Sequence, residues 1–96
     1  MPRLVILPAA RDDLLEIGDF IATDNPSRAY TFITEIEAKM VQAARHPSRF
    51  PTRNDLHEGL RSARHGRYLI FFTEVNDEVR IVRVLHGARN LPPILG

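Results

Sequence analysis

Val79 to Arg89 reads VRIVRVLHGAR, and the fold turns on how this stretch is read. Val79, Ile81, Val82, Val84 and Leu85 fall within seven positions, and β-branched side chains suit a pleated surface. The run is predicted to be a central strand. It also carries Arg80, Arg83 and His86, breaks at Gly87 and resumes with Arg89. A strand that is apolar on both faces is normally covered on both, so the cations need a reason. Either their methylenes pack while the charged heads reach the sheet edge, or the strand delivers positive charge to a working surface.

Immediately upstream, Leu60 to Arg64 (LRSAR) and Arg67 to Glu74 (RYLIFFTE) have the composition of a hairpin turning through His65 and Gly66. Val75, Asn76 and Asp77 form the next turn signal, leading into the final strand. His46 to Gly59 (HPSRFPTRNDLHEG) has two prolines, a glycine and no sustained period, which predicts a loop. Loops of this length without regular structure are uncommon and often functional. His46 and His57 lie in it with Asp55 and Glu58 nearby, but without the short regular spacing of metal-binding pairs. Neither a metal nor a cofactor is expected.

Towards the N-terminus, Arg3 to Leu7 (RLVIL) reads as a short strand stopped by Pro8. Ala10, Leu14, Ile17 and Ile21 then recur at helical spacing. Asp12 and Asp13 are expected in the first turn of that helix, where carboxylates favour the positive end of the dipole. Gly18 marks a place where a neighbouring helix can approach. Asn25 before Pro26 is an N-cap followed by a first-turn proline, and Ala29, Ile33, Ile36, Met40 and Ala43 give the second stripe, with Phe32 beside it. This helix is predicted to run to about Arg45 and stop before Pro47. Each stripe spans only about three turns, which favours packing on a sheet over a coiled coil. The sum is a single domain, residues 1–96, of α+β class: a helical hairpin packed on an antiparallel sheet in the order β-α-α-β-β-β. The pattern leaves open which strand the first one joins.

The 96 residues, 44% hydrophobic and 26% charged, have the composition of an ordinary globular domain. No apolar run approaches the roughly 20 residues that span a bilayer. The opening residues are charged too soon for a signal peptide, and with no cysteine there is neither a disulfide nor a thiolate site. A cytoplasmic location is the expectation. Residues 1–44 carry a net charge of −3, from four basic and seven acidic groups, whereas residues 45–96 carry +4, from nine arginines and five acids. Twelve of the thirteen basic residues are arginine, whose planar fork can grip carboxylate or phosphate through two hydrogen bonds; codon bias in a GC-rich genome gives the same excess. The asymmetry points to an acidic partner, nucleic acid or protein.

Strand alternation places Arg67, Leu69, Phe71 and Thr73 on one face, and on the last strand sets Arg83 and Leu85 opposite Val82, Val84 and His86. With helices on one face only, the other is expected to expose an apolar or cationic patch. Cleavage of RNA would need a general acid and base with cations for the phosphate. His86 titrates in the useful range, and Arg61, Arg67, Arg83 or Arg89 could hold phosphate. The bland alternative for His86 is a strand-end histidine hydrogen-bonded to backbone. No Ser/His/Asp order, glycine-rich phosphate loop or carboxylate pair is present, and Tyr68, Phe71 and Phe72 suit a core better than base stacking.

The blocks AARDDLLEIGDFIA in the first helix, GLR (Gly59 to Arg61), GRYLIFF (Gly66 to Phe72) and VRVLHGARN (Val82 to Asn90), in that order, resemble the ParE branch of the RelE/ParE superfamily of bacterial type II toxins. The resemblance implies the same β-α-α-β-β-β fold and a toxin held inactive by a ParD-type antitoxin. It also implies inhibition of DNA gyrase by binding, not catalysis, with nucleic acid involved only through gyrase or the antitoxin. RelE relatives are instead ribosome-dependent mRNA endoribonucleases, and a shared fold does not choose between the two. On that alternative Arg67, Arg83 and His86 would be catalytic. However, Gly87 follows His86 and the tail Asn90 to Gly96 has neither tyrosine nor lysine, so the proton relay lacks a member. The candidates for target binding are Arg61, Arg67, Arg83, His86 and Arg89. Those for an acidic antitoxin segment that folds on binding are Leu14, Ile17, Ile21, Phe32, Ile36, Leu69 and Phe71.

Overall fold

The computed structural model describes residues 2–87. Strand β1 (Arg3–Ile6) leads into helix α1 (Pro8–Ala22) and helix α2 (Pro26–Arg45). A 3-10 turn at Pro47–Arg49 and a loop precede β2 (Arg61–His65), β3 (Tyr68–Val75) and β4 (Glu78–His86). The expected α+β order is therefore present. The sheet runs β1-β4-β3-β2, with the β2-β3-β4 meander antiparallel and β1 parallel to β4. The sheet is thus mixed, and the helices and meander between β1 and β4 supply the long crossover that a parallel pair requires.

Local chemistry sets the element boundaries. Pro8 opens α1 and Pro26 opens α2, where the Asn25 side chain accepts the Arg28 N–H at 3.0 Å. Asn76 and Asp77 both take positive φ, the geometry of the tight turn that joins antiparallel strands. The β2-β3 turn falls on Gly66 and Arg67, one residue later than expected, with Gly66 at φ +58°. Gly18 does lie against α2, although a methyl group there would sit at an ordinary 3.7 Å from Ile33.

Two apolar layers sandwich the sheet. Towards the helices, Ile36, Met40, Ala43 and Ala44 pack on Ile70, Phe72, Val79, Ile81 and Val84. On the far face Leu60, Leu69, Phe71, Val82 and Leu85 form a second buried cluster joined by Leu7 and Leu56. The exposed patch expected there is absent because the 50–60 loop is not structureless. The Arg53 N–H donates to the Leu60 carbonyl at 2.6 Å, the Gly59 N–H donates to Asn54 Oδ1 at 2.9 Å, and Thr52 bridges to Arg61. So folded, the loop sets Leu60 on the sheet and the Arg53 guanidinium 5.7 Å from the centre of the Phe71 ring.

A β-bulge corrects the alternation expected for the last strand. Phe71 pairs with Arg83 but Phe72 pairs with Ile81, so Val82 is the extra residue. Strict alternation would put Arg83 on the same face as Val79 and Ile81, inside the helix-side core. The bulge instead turns Ile81 and Val84 towards the helices, and Val82 and Leu85 towards the loop. If the loop-side cluster is a true second core, Leu60→Ala should lower stability in urea denaturation by about 2–5 kcal/mol, comparable to Ile36→Ala on the helix side. A loss under about 0.5 kcal/mol, the size of a surface substitution, would make the loop a mere connection.

Candidate functional site

Beyond Ile81, β4 runs past the end of the four-residue β1, and α1 crosses the edge so left. The side chain of Asp13, 8% exposed, meets that edge. Its carboxylate accepts from Arg83 Nε at 2.7 Å, Arg83 Nη2 at 2.9 Å and the Val84 backbone N–H at 2.9 Å. Asp13 is therefore not a first-turn dipole partner, since no acidic residue lies in the first turn of α1. It is an internal ligand that stands in for a missing strand. The contact holds the Arg83 guanidinium above its ordinary pKa, chiefly through the Asp13 hydrogen bonds.

Beside this contact an open cleft of about 820 Å³ lies between the hairpin and the end of the sheet. Ile17, Ile21 and Phe32 form its helix side, Tyr68 and Val84 its sheet side. Phe20 rims it at 74% exposure. The charged groups at its walls are Asp13, Glu16, Arg28, Arg67 and Arg83, with His86 at the end of β4. His86 sits edge-on to Tyr68, ring centres 5.3 Å apart. The Arg67 guanidinium, in the β2-β3 turn, has no partner among the described residues, whereas the Arg67 carbonyl accepts the Gly87 N–H at 2.7 Å. A second, shallower groove lies between the helices on their outer side, around Leu14, Leu15, Gly18 and Ile33, with Leu15 at 67% exposure.

The expected site residues divide accordingly. Arg67, Arg83 and His86 come together in the cleft, but Arg83 is held by Asp13 through Nε and Nη2. Arg61 is not part of it: its guanidinium donates to the Phe50 carbonyl at 2.6 Å and lies 3.4 Å from Glu74, tying β2 to the loop. Arg89 lies outside the described residues. Of the apolar candidates, Ile17, Ile21 and Phe32 line the same cleft and Leu14 lines the outer groove. Ile36 and Phe71 have no accessible surface, and Leu69 is nearly as buried, so a partner of the folded domain touches neither Ile36 nor Phe71. Both were packed away by the two-sided core. Sequence reasoning missed Leu15, Phe20 and Tyr30, the last at 76% exposure. Their signal was present: each is a large apolar or aromatic residue off its helix's buried stripe.

Arg28 links the cleft to the rest of α2. It donates to Glu35 at 2.7 Å, and its guanidinium lies 5.0 Å from the centre of the Phe32 ring. Glu35 Oε1 lies 2.8 Å from His65 Nε2. Hydrogen bonds from Arg28 and then His65 hold the Glu35 carboxyl below its ordinary 4.5. A carboxylate with a lowered folded-state pKa stabilises the fold above its unfolded value and loses that contribution as pH falls through the folded one. The melting temperature of the native chain should therefore exceed that of Glu35→Gln near neutral pH, and the gap should close as pH falls below about 4.5. A gap independent of pH would show that the carboxylate's charge plays no part.

Comparison with known proteins agrees with this architecture. No curated protein sequence matches the chain. The chromosomal ParDE toxin-antitoxin system from P. aeruginosa contains a chain with the same fold, at a TM-score of 0.75 and 20% identity over 88% of this chain and 94% of that one. The family described as ParE toxin of type II toxin-antitoxin system, parDE, matches residues 4–91. The protein belongs to the ParE toxin family.

Proposed function

We propose that the chain is a toxin that acts by binding DNA gyrase, without bond cleavage of its own, and that a ParD-type antitoxin neutralises it. Family membership supports the toxin role, and the observation that carries the choice of mechanism is the Asp13–Arg83 pair. Cleavage of a phosphodiester needs cations free to meet charge as it develops. Here the guanidinium best placed for that already holds a carboxylate through two hydrogen bonds. Arg67 and His86 are left without the second cation of the nuclease alternative.

The surface is well suited to protein. Phe20 is an aromatic of the kind enriched in interface cores, Arg67 is of a type enriched among binding hot spots, and the two flank an apolar cleft. The outer groove around Leu15 fits the apolar face of a helix, the way a disordered antitoxin segment folds on its target. Because Ile17, Ile21 and Phe32 share the cleft with Arg67, an antitoxin that reaches it excludes the target directly.

Purified toxin should inhibit gyrase supercoiling or trap cleaved DNA, while primer extension after toxin induction finds transcripts intact. Inactivity on gyrase at saturating toxin, or cut message, would remove the proposal. Phe20→Ala and Arg67→Ala should each weaken gyrase inhibition about 5- to 30-fold without altering the melting temperature, as expected for hot-spot side chains at 1–2 kcal/mol. Leu15→Glu should weaken antitoxin binding by at least about tenfold in calorimetry while leaving gyrase inhibition intact.

A further inference from the structure

Three N–H groups converge on one point at the wall of the cleft: Nε and Nη2 of Arg83 and the backbone N–H of Val84. A guanidinium edge with an adjacent backbone N–H binds phosphate oxygens as well as it binds a carboxylate. In this chain the acceptor is Asp13, and Glu16, one turn further along α1, also lines the cleft and adds to the negative charge that Arg83 feels.

We propose that Asp13 is a specificity-determining residue: its carboxylate fills a three-donor anion seat that would otherwise accept a phosphate group, and with Glu16 it keeps nucleic-acid phosphate out of the cleft. A phosphodiester would have to displace a carboxylate anchored on α1, whose return is intramolecular and so acts at high effective concentration. It would then face the charge of Glu16. The cleft therefore admits protein in preference to RNA, which rests on gyrase, not message, being the toxin's target.

Asp13→Ala empties the seat, and denaturation of the isolated chain in inorganic phosphate, against chloride at equal ionic strength, reads its occupancy. With phosphate about 100-fold above its dissociation constant, the folded-to-unfolded ratio of Asp13→Ala should rise about 100-fold. The native chain should gain no more from phosphate than from chloride. The double variant Asp13→Ala/Arg83→Met lacks both the seat and the uncompensated cation, so it should fold and gain nothing. Equal responses of the single and double variants, or a gain by the native chain matching that of Asp13→Ala, would overturn the assignment. If Asp13→Ala folds only when phosphate is added, that recovery is the expected result; failure to fold in any anion while the double variant folds counts against it.

Affinity for a single-stranded RNA oligonucleotide gives a readout that a merely structural role would not move. It should rise at least about tenfold in Asp13→Ala, the equivalent of one charge-assisted contact, and less in Glu16→Gln. No change in either would refute the guarding role. Since the phosphate titration involves neither gyrase nor antitoxin, inactivity on gyrase would sink the preceding proposal and the preference for protein drawn from it but not the anion seat, whereas a flat titration would sink the seat alone.

Discussion

The carboxylate of Asp13 joins α1 to β4 where β1 ends, and much of the architecture follows from that join. An uncovered strand edge exposes backbone donors that need partners. Asp13 supplies one for Val84 and neutralises Arg83 in the same contact. A largely buried ion pair is costly to desolvate, and it is tolerable here because the acid accepts three hydrogen bonds and the Arg83 side chain keeps partial access to water. The bulge at Val82 belongs to the same arrangement. It carries Arg83 out of the helix-side layer to meet Asp13 and lets Ile81 and Val84 both face the helices.

A chain of 96 residues has limited apolar surface to bury. This one gains by covering its sheet on both sides, with helices on one and a folded loop on the other. The loop has little regular structure, but its own hydrogen bonds hold Leu56 and Leu60 against the sheet. Among the described residues, the large apolar side chains left exposed are on the helices: Leu15, Phe20, Tyr30 and Val41. The hairpin and the cleft at its end are thus where a partner finds apolar area to bury.

That geography bears on how a toxin is silenced. Arg67 and Phe20 share the cleft with Ile17, Ile21 and Phe32, so under the proposed function target and antitoxin would meet one surface. Competition for that surface needs no conformational change transmitted across the domain. Opposite charges line the cleft as well, with Asp13 and Glu16 facing Arg28, Arg67 and Arg83. Two of those arginines are held internally, Arg28 by Glu35 and Arg83 by Asp13, leaving Arg67 as the outward cation of the described wall.

Element order, both helices and their caps, and the central place of Val79 to His86 were legible because they depend on neighbours a few residues apart: an asparagine before a proline, a stripe every three or four positions, a run of β-branched side chains. The residues of the cleft were partly legible too, since Arg67, Arg83 and His86 were all named as candidates for a phosphate or a target. What the tertiary structure alone decided are the contacts between residues far apart in the chain. Asp13 and Arg83 are separated by 70 positions, and nothing local distinguishes a carboxylate that caps a dipole from one that plugs a sheet edge. Likewise a single bulge reverses which face Val84 and Leu85 present, and a loop of mixed composition becomes a lid over Phe71. Local sequence encodes backbone preference over a turn or two. The pairing of distant charges and the coverage of a face are settled only when the layers meet.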